Sequence, residues 1–327
     1  MTRSLCLTLI LLWCALPLGA QPQRHPAYDL MIEAAVKMQL AELSLYERKR
    51  ELGIYDEQLD PGRSGVIGVE YTPITTTIGY PKAKRSAANP DFAAYILREL
   101  MDHGIGAGDS VLVAMTGSFP GMNLAVLFAL ETLEVWSFRI SSLGASSYGA
   151  NQEEFTWLDM EDHLVRNGHL SHRSNLVSLG GTGDVGGGLP PGGRTILRQK
   201  AEHLGYPILS GRSLRRQTKK RRELAGDPKD YHLLINIGGN QAMLGKGPLG
   251  RQLPGGWIEP DQNPWSAPND DDLSGIIFDF LTAGVPVLNL LHIEDIASAA
   301  GIPFDPQTPP EIGTSPVYFL TPAAPRR

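Results

Sequence analysis

The chain has 327 residues, 42% of them hydrophobic and 20% charged, with a net charge of −6. That is enough chain for one large α/β domain or two smaller ones with a sizeable core. The acidic balance excludes a global attraction to nucleic acid or to an anionic membrane, and 36 Gly and 25 Pro, lying between clear apolar runs, indicate structured turns rather than disorder.

The first segment, MTRSLCLTLILLWCALPLGAQ, carries Arg3, an apolar run from Leu5 to Leu16, then Pro17, Gly19 and Ala20. This is the layout of a bacterial export signal cut after Ala20, or of an uncut anchor. Leu18 is imperfect where a small residue is preferred, and the run is short for a spanning helix. Either way the expectation is a cell-envelope, extracytoplasmic protein. Cys6 and Cys14 are the only cysteines and both lie in this segment, so a processed chain would hold no disulfide, thiol nucleophile or Cys-ligated metal.

Residues 27–53 have apolar residues at helical spacing and end at Gly53, so residues 21–64 read as a helical segment. Residues 65–80, rich in β-branched side chains, read as a strand and its exit loop, and Asn89-Pro90 as the start of a helix running to Gly104. From there strands and amphipathic helices alternate. The predicted strands are SVLVAM, VWSFRIS, NLVSLG, YPILS, HLLINIG and PVLNLL, with VYFL (317–320) as an edge strand. Alternation of this kind means βαβ units. We expect an α/β domain over 65–321, a mostly parallel sheet with helices on both faces, Rossmann-like, with a lobe boundary near 206–230 as an option and a tail at 322–327. The Gly/Pro-rich stretch 239–268 is long for a loop in a compact domain, and such loops are often functional.

In an open parallel sheet ligands sit at the carboxyl ends of the strands. The strand exits here are TPITTT, TGSFPGMN, SLGASSYGAN, GGTGDVGGG, GGNQA and HIED, all polar or Gly-rich. If the strands run parallel, these turns share one edge. The expected ligand-binding residues are Thr116, Ser118, Asn123, Thr182, Asp184, Asn240 and Gln241, with Ser118, Asp184 and His292 as catalytic candidates. Each has a plainer reading. Ser118 suits a helix cap before Pro120, and Gly117-Ser118 fails the G-x-S-x-G order of a nucleophilic elbow. Asp184 suits a loop cap, Asn240 a turn, and His292, Glu294 and Asp295 a helix start. Gly181 to Gly186 formally match G-x-G-x-x-G, but no acidic residue lies between Glu202 and Glu223 to take a ribose, so no nucleotide cofactor is expected. No spacing supports a metal. Thr156 and Asp159 fit a helix cap and an acidic first turn. In RSLRRQTKKRR (212–222), seven of eleven residues are basic. Arg215, Arg216, Lys219, Lys220, Arg221 and Arg222 read either as a solvated helix face or as a polyanion-binding strip. Without interleaved aromatics, nucleic acid is not the expected partner.

Taken in order, GVEYTPITTTIG, AKRSAANPDFAA, MTGSFPGMNLAVLFALE, SSLGASSYGANQEEFTWLDME and LGGTGDVGGGL resemble the bacterial poly-gamma-glutamate system protein family, from about Glu70 to Glu259. The resemblance implies an envelope accessory component that works beside the ligase and membrane proteins that make and export this polymer, binding the polymer or the synthase complex. It implies no catalytic residues. A hydrolase or transferase acting on γ-glutamyl amide bonds is the alternative. The Gly186–Gly188 run departs from the polar character expected of the family there.

Overall fold

The computed structural model describes residues 22–262 and 274–320. Helix α1 spans Tyr28–Glu51, α2 Pro81–Ala87 and α3 Asp91–Asp102. Strand β1 (Ser110–Thr116) leads into α4 (Pro120–Thr132), β2 (Trp136–Ser142) into α5 (Trp157–Arg166), and β3 (Leu176–Ser178) into α6 (Gly193–His203) and α7 (Leu214–Ala225). Strand β4 (Leu233–Ile237) is followed by two short helices, α8 (Gln241–Leu244) and α9 (Leu249–Gln252), and by β5 (Gly256–Ile258). Helix α10 (Ile276–Thr282), β6 (Val287–Leu290) and α11 (Ile293–Ala300) complete the set.

These strands form one six-stranded sheet in the order β5-β6-β4-β1-β2-β3. All neighbours are parallel except β5, which runs antiparallel to β6. The strands are apolar on both faces because both are covered. Val111, Val113 and Met115 of β1 join a core with α1, α3 and α4, whereas Leu112 and Ala114 join a second core with Leu244, Ile277 and Phe278. The alternation along one strand thus serves two hydrophobic clusters.

The order of the sheet reverses at β1. The chain steps from β1 to β2 to β3 on one side, then returns to place β4 and β6 on the other. The carboxyl ends of β1 and β4 therefore diverge into opposite crossovers, which opens a crevice there. Gly238 closes the base of that crevice. Its φ is +80°, and a Cβ there would lie 2.7 Å from Thr116 Oγ1, so only glycine fits.

Several expectations are corrected. Residues 65–80 do not form a strand. Only Thr75–Thr77 does, pairing in parallel with Ala145–Ser146. VYFL is a 3-10 turn at Pro316–Tyr318, with Phe319 bridged to Arg24. YPILS contributes a single parallel bridge, Ile208 to Val177. Helix α3 begins at Asp91 with Pro90, not Asn89, at its cap position and no side-chain cap; Asn89, one residue further out, accepts the Asp91 N–H through Oδ1 at 3.1 Å. The stretch 239–268 carries α8, α9 and β5 within its described part. The export segment lies outside the described residues, and among those described no helix is long and apolar enough to cross a membrane.

Candidate functional site

A cleft of about 320 Å³ opens at the carboxyl edge of the sheet, over the β1/β4 reversal. Five of the six strand exits contribute to it: Thr76 and Thr77, then Thr116, Ser118 and Phe119, then Ser142, Gly144 and Ser146, then Gly181 and Thr182, then Gly239, Asn240 and Gln241. Tyr80, Lys84 and Arg251 complete its polar wall. The strand register explains part of this gathering. Thr116 is paired with Ser142, and Ser142 with Ser178, so three neighbouring strands end on a hydroxyl at one level.

Beneath this row lies a buried charge pair. Arg221 Nε and Nη2 donate to Asp184 Oδ2 at 3.0 and 2.8 Å. Ser178 Oγ at 2.6 Å and Asn240 Nδ2 at 2.9 Å donate to Asp184 Oδ1. Arg221 also reaches Ser142 Oγ and Ser178 Oγ. Asp184 takes a left-handed backbone at φ 57°, and its carbonyl accepts the Gln217 side chain at 2.8 Å. A carboxylate so saturated is a structural anion that fixes the glycine loop and Asn240 under the cleft. Asn240 Oδ1 caps α8 through Ala242 N, and Gln241 Oε1 accepts the Gly183 N–H at 2.6 Å. The Gly-rich loop is thus pinned to the exit of β4.

Ser118 is not the cap expected of it. Phe119 holds the cap position of α4, and Ser118 Oγ instead accepts the backbone N–H of Ser146 at 2.9 Å. Pro120, with no N–H, leaves one fewer amide for a cap to serve. Asn123, unlike Ser118, does not line the cleft. It is fully buried and its Nδ2 donates to the Thr116 carbonyl at 2.9 Å, which steadies the end of β1. Thr116 Oγ1 is buried at the cleft wall with no partner among the described residues.

Sequence reasoning missed Lys84, and with it Ser146 and Arg251 of the same lining. Lys84 is 4% exposed, on the short helix α2. Its Nζ lies 2.8 Å from Ser146 Oγ, donates to the Ser118 carbonyl, and sits 3.4 Å from the centre of the Phe119 ring. Burial lowers Lys84 to about 7. Arg251, exposed on the short helix α9, supplies a permanent cation to the lining.

His292, Glu294 and Asp295 line a neighbouring cavity of about 690 Å³, which shares Tyr80, Ala83 and Phe119 with the cleft. The structure therefore brings Ser118 and Asn240 together, sets Asp184 below them, and leaves His292 next door.

The basic strip is corrected at two positions. Arg221 is turned inward onto Asp184, and Arg222 is held by Asp279 through contacts of 2.7 and 3.0 Å. Arg215, Arg216 and Lys219 are exposed, with Lys219 3.8 Å from Glu223, and Lys220 donates to Ser210 Oγ. Helix α7 buries the face carrying Gln217, Thr218 and Arg221, so fewer cations face outward than the sequence suggests. Among the described residues, no group of three or more His, Cys, Asp or Glu side chains is placed to hold a metal ion.

No protein-family model matches the chain, and no curated relative matches it. Among solved structures, an open conformation of 2-hydroxyisobutyryl-CoA ligase in complex with 2-HIB-AMP and CoA is similar at 16% identity, over 66% of this chain. The chain spans 45% of that protein, and the TM-score of 0.18 carries no argument about fold or function.

Proposed function

We propose that the cleft binds a carboxylate-bearing ligand, and that this ligand is a segment of poly-gamma-glutamate in the cell envelope. The observation that carries the reading is the charge of the lining. Arg251 is a permanent cation on a cleft that has no Asp or Glu among its described lining residues, and Lys84, lowered to about 7 by burial, adds positive charge only in its protonated form. The hydroxyls of Thr116 and Thr182 and the amide N–H groups of Gln241 add hydrogen-bond donors. The volume, about 320 Å³, suits one or two glutamyl units rather than a large cofactor. The resemblance to the poly-gamma-glutamate system proteins points the same way, toward an accessory component beside the synthase and export machinery. Longer polymer would continue past Arg251 onto exposed surface.

Titration calorimetry with a γ-linked glutamate oligomer tests this. The purified protein should bind it, and Arg251→Ala should weaken binding by about tenfold, equivalent to ~1.4 kcal/mol. Changing Arg215, Arg216, Lys219 and Lys220 together to Ala should reduce only the salt-sensitive part of the affinity. Equal affinity for wild type and Arg251→Ala, with binding lost in the quadruple variant, would move the site to α7. Lack of any binding would end the ligand reading.

A further inference from the structure

We propose that Ser146 and Lys84 form a nucleophile–base pair for acyl transfer, with Ser146 Oγ attacking an amide or ester carbonyl held in the cleft. The inference takes its substrate class from the ligand reading above, but its chemistry stands on separate contacts. Ser146 lines the cleft, and its hydroxyl is the side-chain group nearest the amine, 2.8 Å from Lys84 Nζ. A lysine can act as a base only when neutral, and its surroundings here favour that form. Its neighbours are the Ser118 carbonyl, the Phe119 ring and Ser146, with no carboxylate hydrogen-bonded to it among the described residues. Burial alone is the cause that lowers it to about 7. The permanent cation of the cleft is Arg251, and the Tyr80 phenol also lines the wall. A neutral amine has two N–H groups and one lone pair. The Ser118 carbonyl takes one N–H, and the lone pair is then available to the Ser146 hydroxyl.

The nucleophile is held at its backbone. The Ser146 N–H donates to Ser118 Oγ at 2.9 Å, and the Ser147 N–H donates to the Thr77 carbonyl at 2.9 Å. Ser118, half-buried in the same lining, accepts that N–H and keeps its own hydrogen for a bound carbonyl oxygen. It therefore serves as the oxyanion donor rather than the nucleophile.

The step balances without any redox partner. The Ser146 hydroxyl proton passes to Lys84 Nζ as the Oγ–C bond forms. The tetrahedral adduct collapses with cleavage of the C–N or C–O bond, and the leaving amine or alcohol takes the proton from Lys84. Water then attacks the acyl-serine, giving its proton to Lys84. Loss of the acid product returns that proton to Ser146.

Reaction with a fluorophosphonate, followed by intact mass and peptide mapping, tests the pair without a natural substrate. One adduct should form on Ser146. It should be absent in Ser146→Ala and in Lys84→Met, and slowed about tenfold in Ser118→Ala. The labelling rate should rise about tenfold per pH unit up to near 7 and then level off. Lys84→Arg, which keeps the charge and cannot serve as base, should be as inert as Lys84→Met. An adduct on Ser118 or elsewhere, labelling untouched by Lys84→Met, or no adduct in the wild type would each overturn the proposal. Calorimetry with the γ-linked oligomer on the same samples separates the two readings. Ser146→Ala should bind the oligomer while failing to label, whereas a wild type that labels but does not bind would remove the ligand reading alone.

Discussion

Asp184 and Arg221 show what the interior of the site demands of single residues. Both are buried, at 0% and 1% side-chain exposure, and two Arg221 nitrogens donate to the one oxygen Asp184 Oδ2. Coulomb attraction at this distance is large in a dry interior, but the cost of removing two charges from water is of similar size. The pair is therefore a poor source of net stability and a severe loss when halved. Arg221→Met should destabilise the fold by about 3–5 kcal/mol, because Asp184 is left buried, in strained backbone, with its strongest partner gone. Adding Asp184→Asn should recover much of that loss, since the stranded charge disappears. Arg216→Ala, on the exposed side of the same helix, should change stability by less than about 0.5 kcal/mol. Urea unfolding midpoints read all three. If the single Arg221 variant matches Arg216→Ala, the buried pair is not what fixes the glycine loop.

Elements were legible in the sequence where their own residues settle them. The cap of α5 is such a case: Thr156 N and Oγ1 both donate to Asp159 Oδ2, at 2.8 and 2.7 Å, and Lys200 holds Asp159 Oδ1 at 2.9 Å. Thr156→Ala should cost about 1 kcal/mol in urea unfolding without altering oligomer binding, because α5 lies off the cleft. The strands β1, β2, β4 and β6 were equally readable, since long apolar runs bounded by glycine turns admit few alternatives. The segment 65–80 was not. Its β-branched residues look like a strand, but its backbone is satisfied piecemeal by a distant loop: Asn151 accepts from Val69 N and donates to the Val69 carbonyl, Gly68 N donates to the Tyr148 carbonyl, and Tyr148 N donates to the Val69 carbonyl. No local pattern announces a partner about eighty residues away. Helix α7 misled in the opposite sense, because its buried face is polar and leaves no apolar stripe to reveal which cations turn inward. Convergence of the strand exits was readable because it follows from parallel order. Lys84 was not, since a lysine on a seven-residue helix reads as solvated until tertiary packing covers it.

At the scale of the whole molecule, buried ionisable groups set how stability varies with pH. Glu42 on α1 is raised well above the usual carboxylate range, first by burial and then by Asp60, and its Oε1 has no partner among the described residues. Lys84 is lowered to about 7, and Lys49, also on α1 and donating to the Ile67 carbonyl at 2.6 Å, to about 8, both chiefly by burial. The signs follow from proton counting. Above its unfolded value Glu42 has released a proton in the unfolded chain but not in the fold, so stability falls as pH rises from about 4.5 toward the raised folded value. The lysines behave oppositely. Between their lowered folded values and about 10.5 the unfolded chain holds the extra proton, so stability rises with pH there. Burial also raises Glu161, Asp91 and Glu99, which add to the acid-side loss, and with the two lysine gains on the alkaline side they place a trough near neutrality. Unfolding of the wild type at pH 5, 7.5 and 10 should trace it, and single variants should dissect it. Glu42→Gln should make the acid-side fall shallower, leaving the part due to Glu161, Asp91 and Glu99, and should leave the alkaline rise unchanged. Lys84→Met should be more stable than wild type at and below pH 7, by on the order of 4–5 kcal/mol at most, and the advantage should shrink steadily toward pH 10.5. An advantage that stays constant across that range would mean that Lys84 is charged throughout in the folded protein, and the neutral amine on which the Ser146 chemistry depends would be absent.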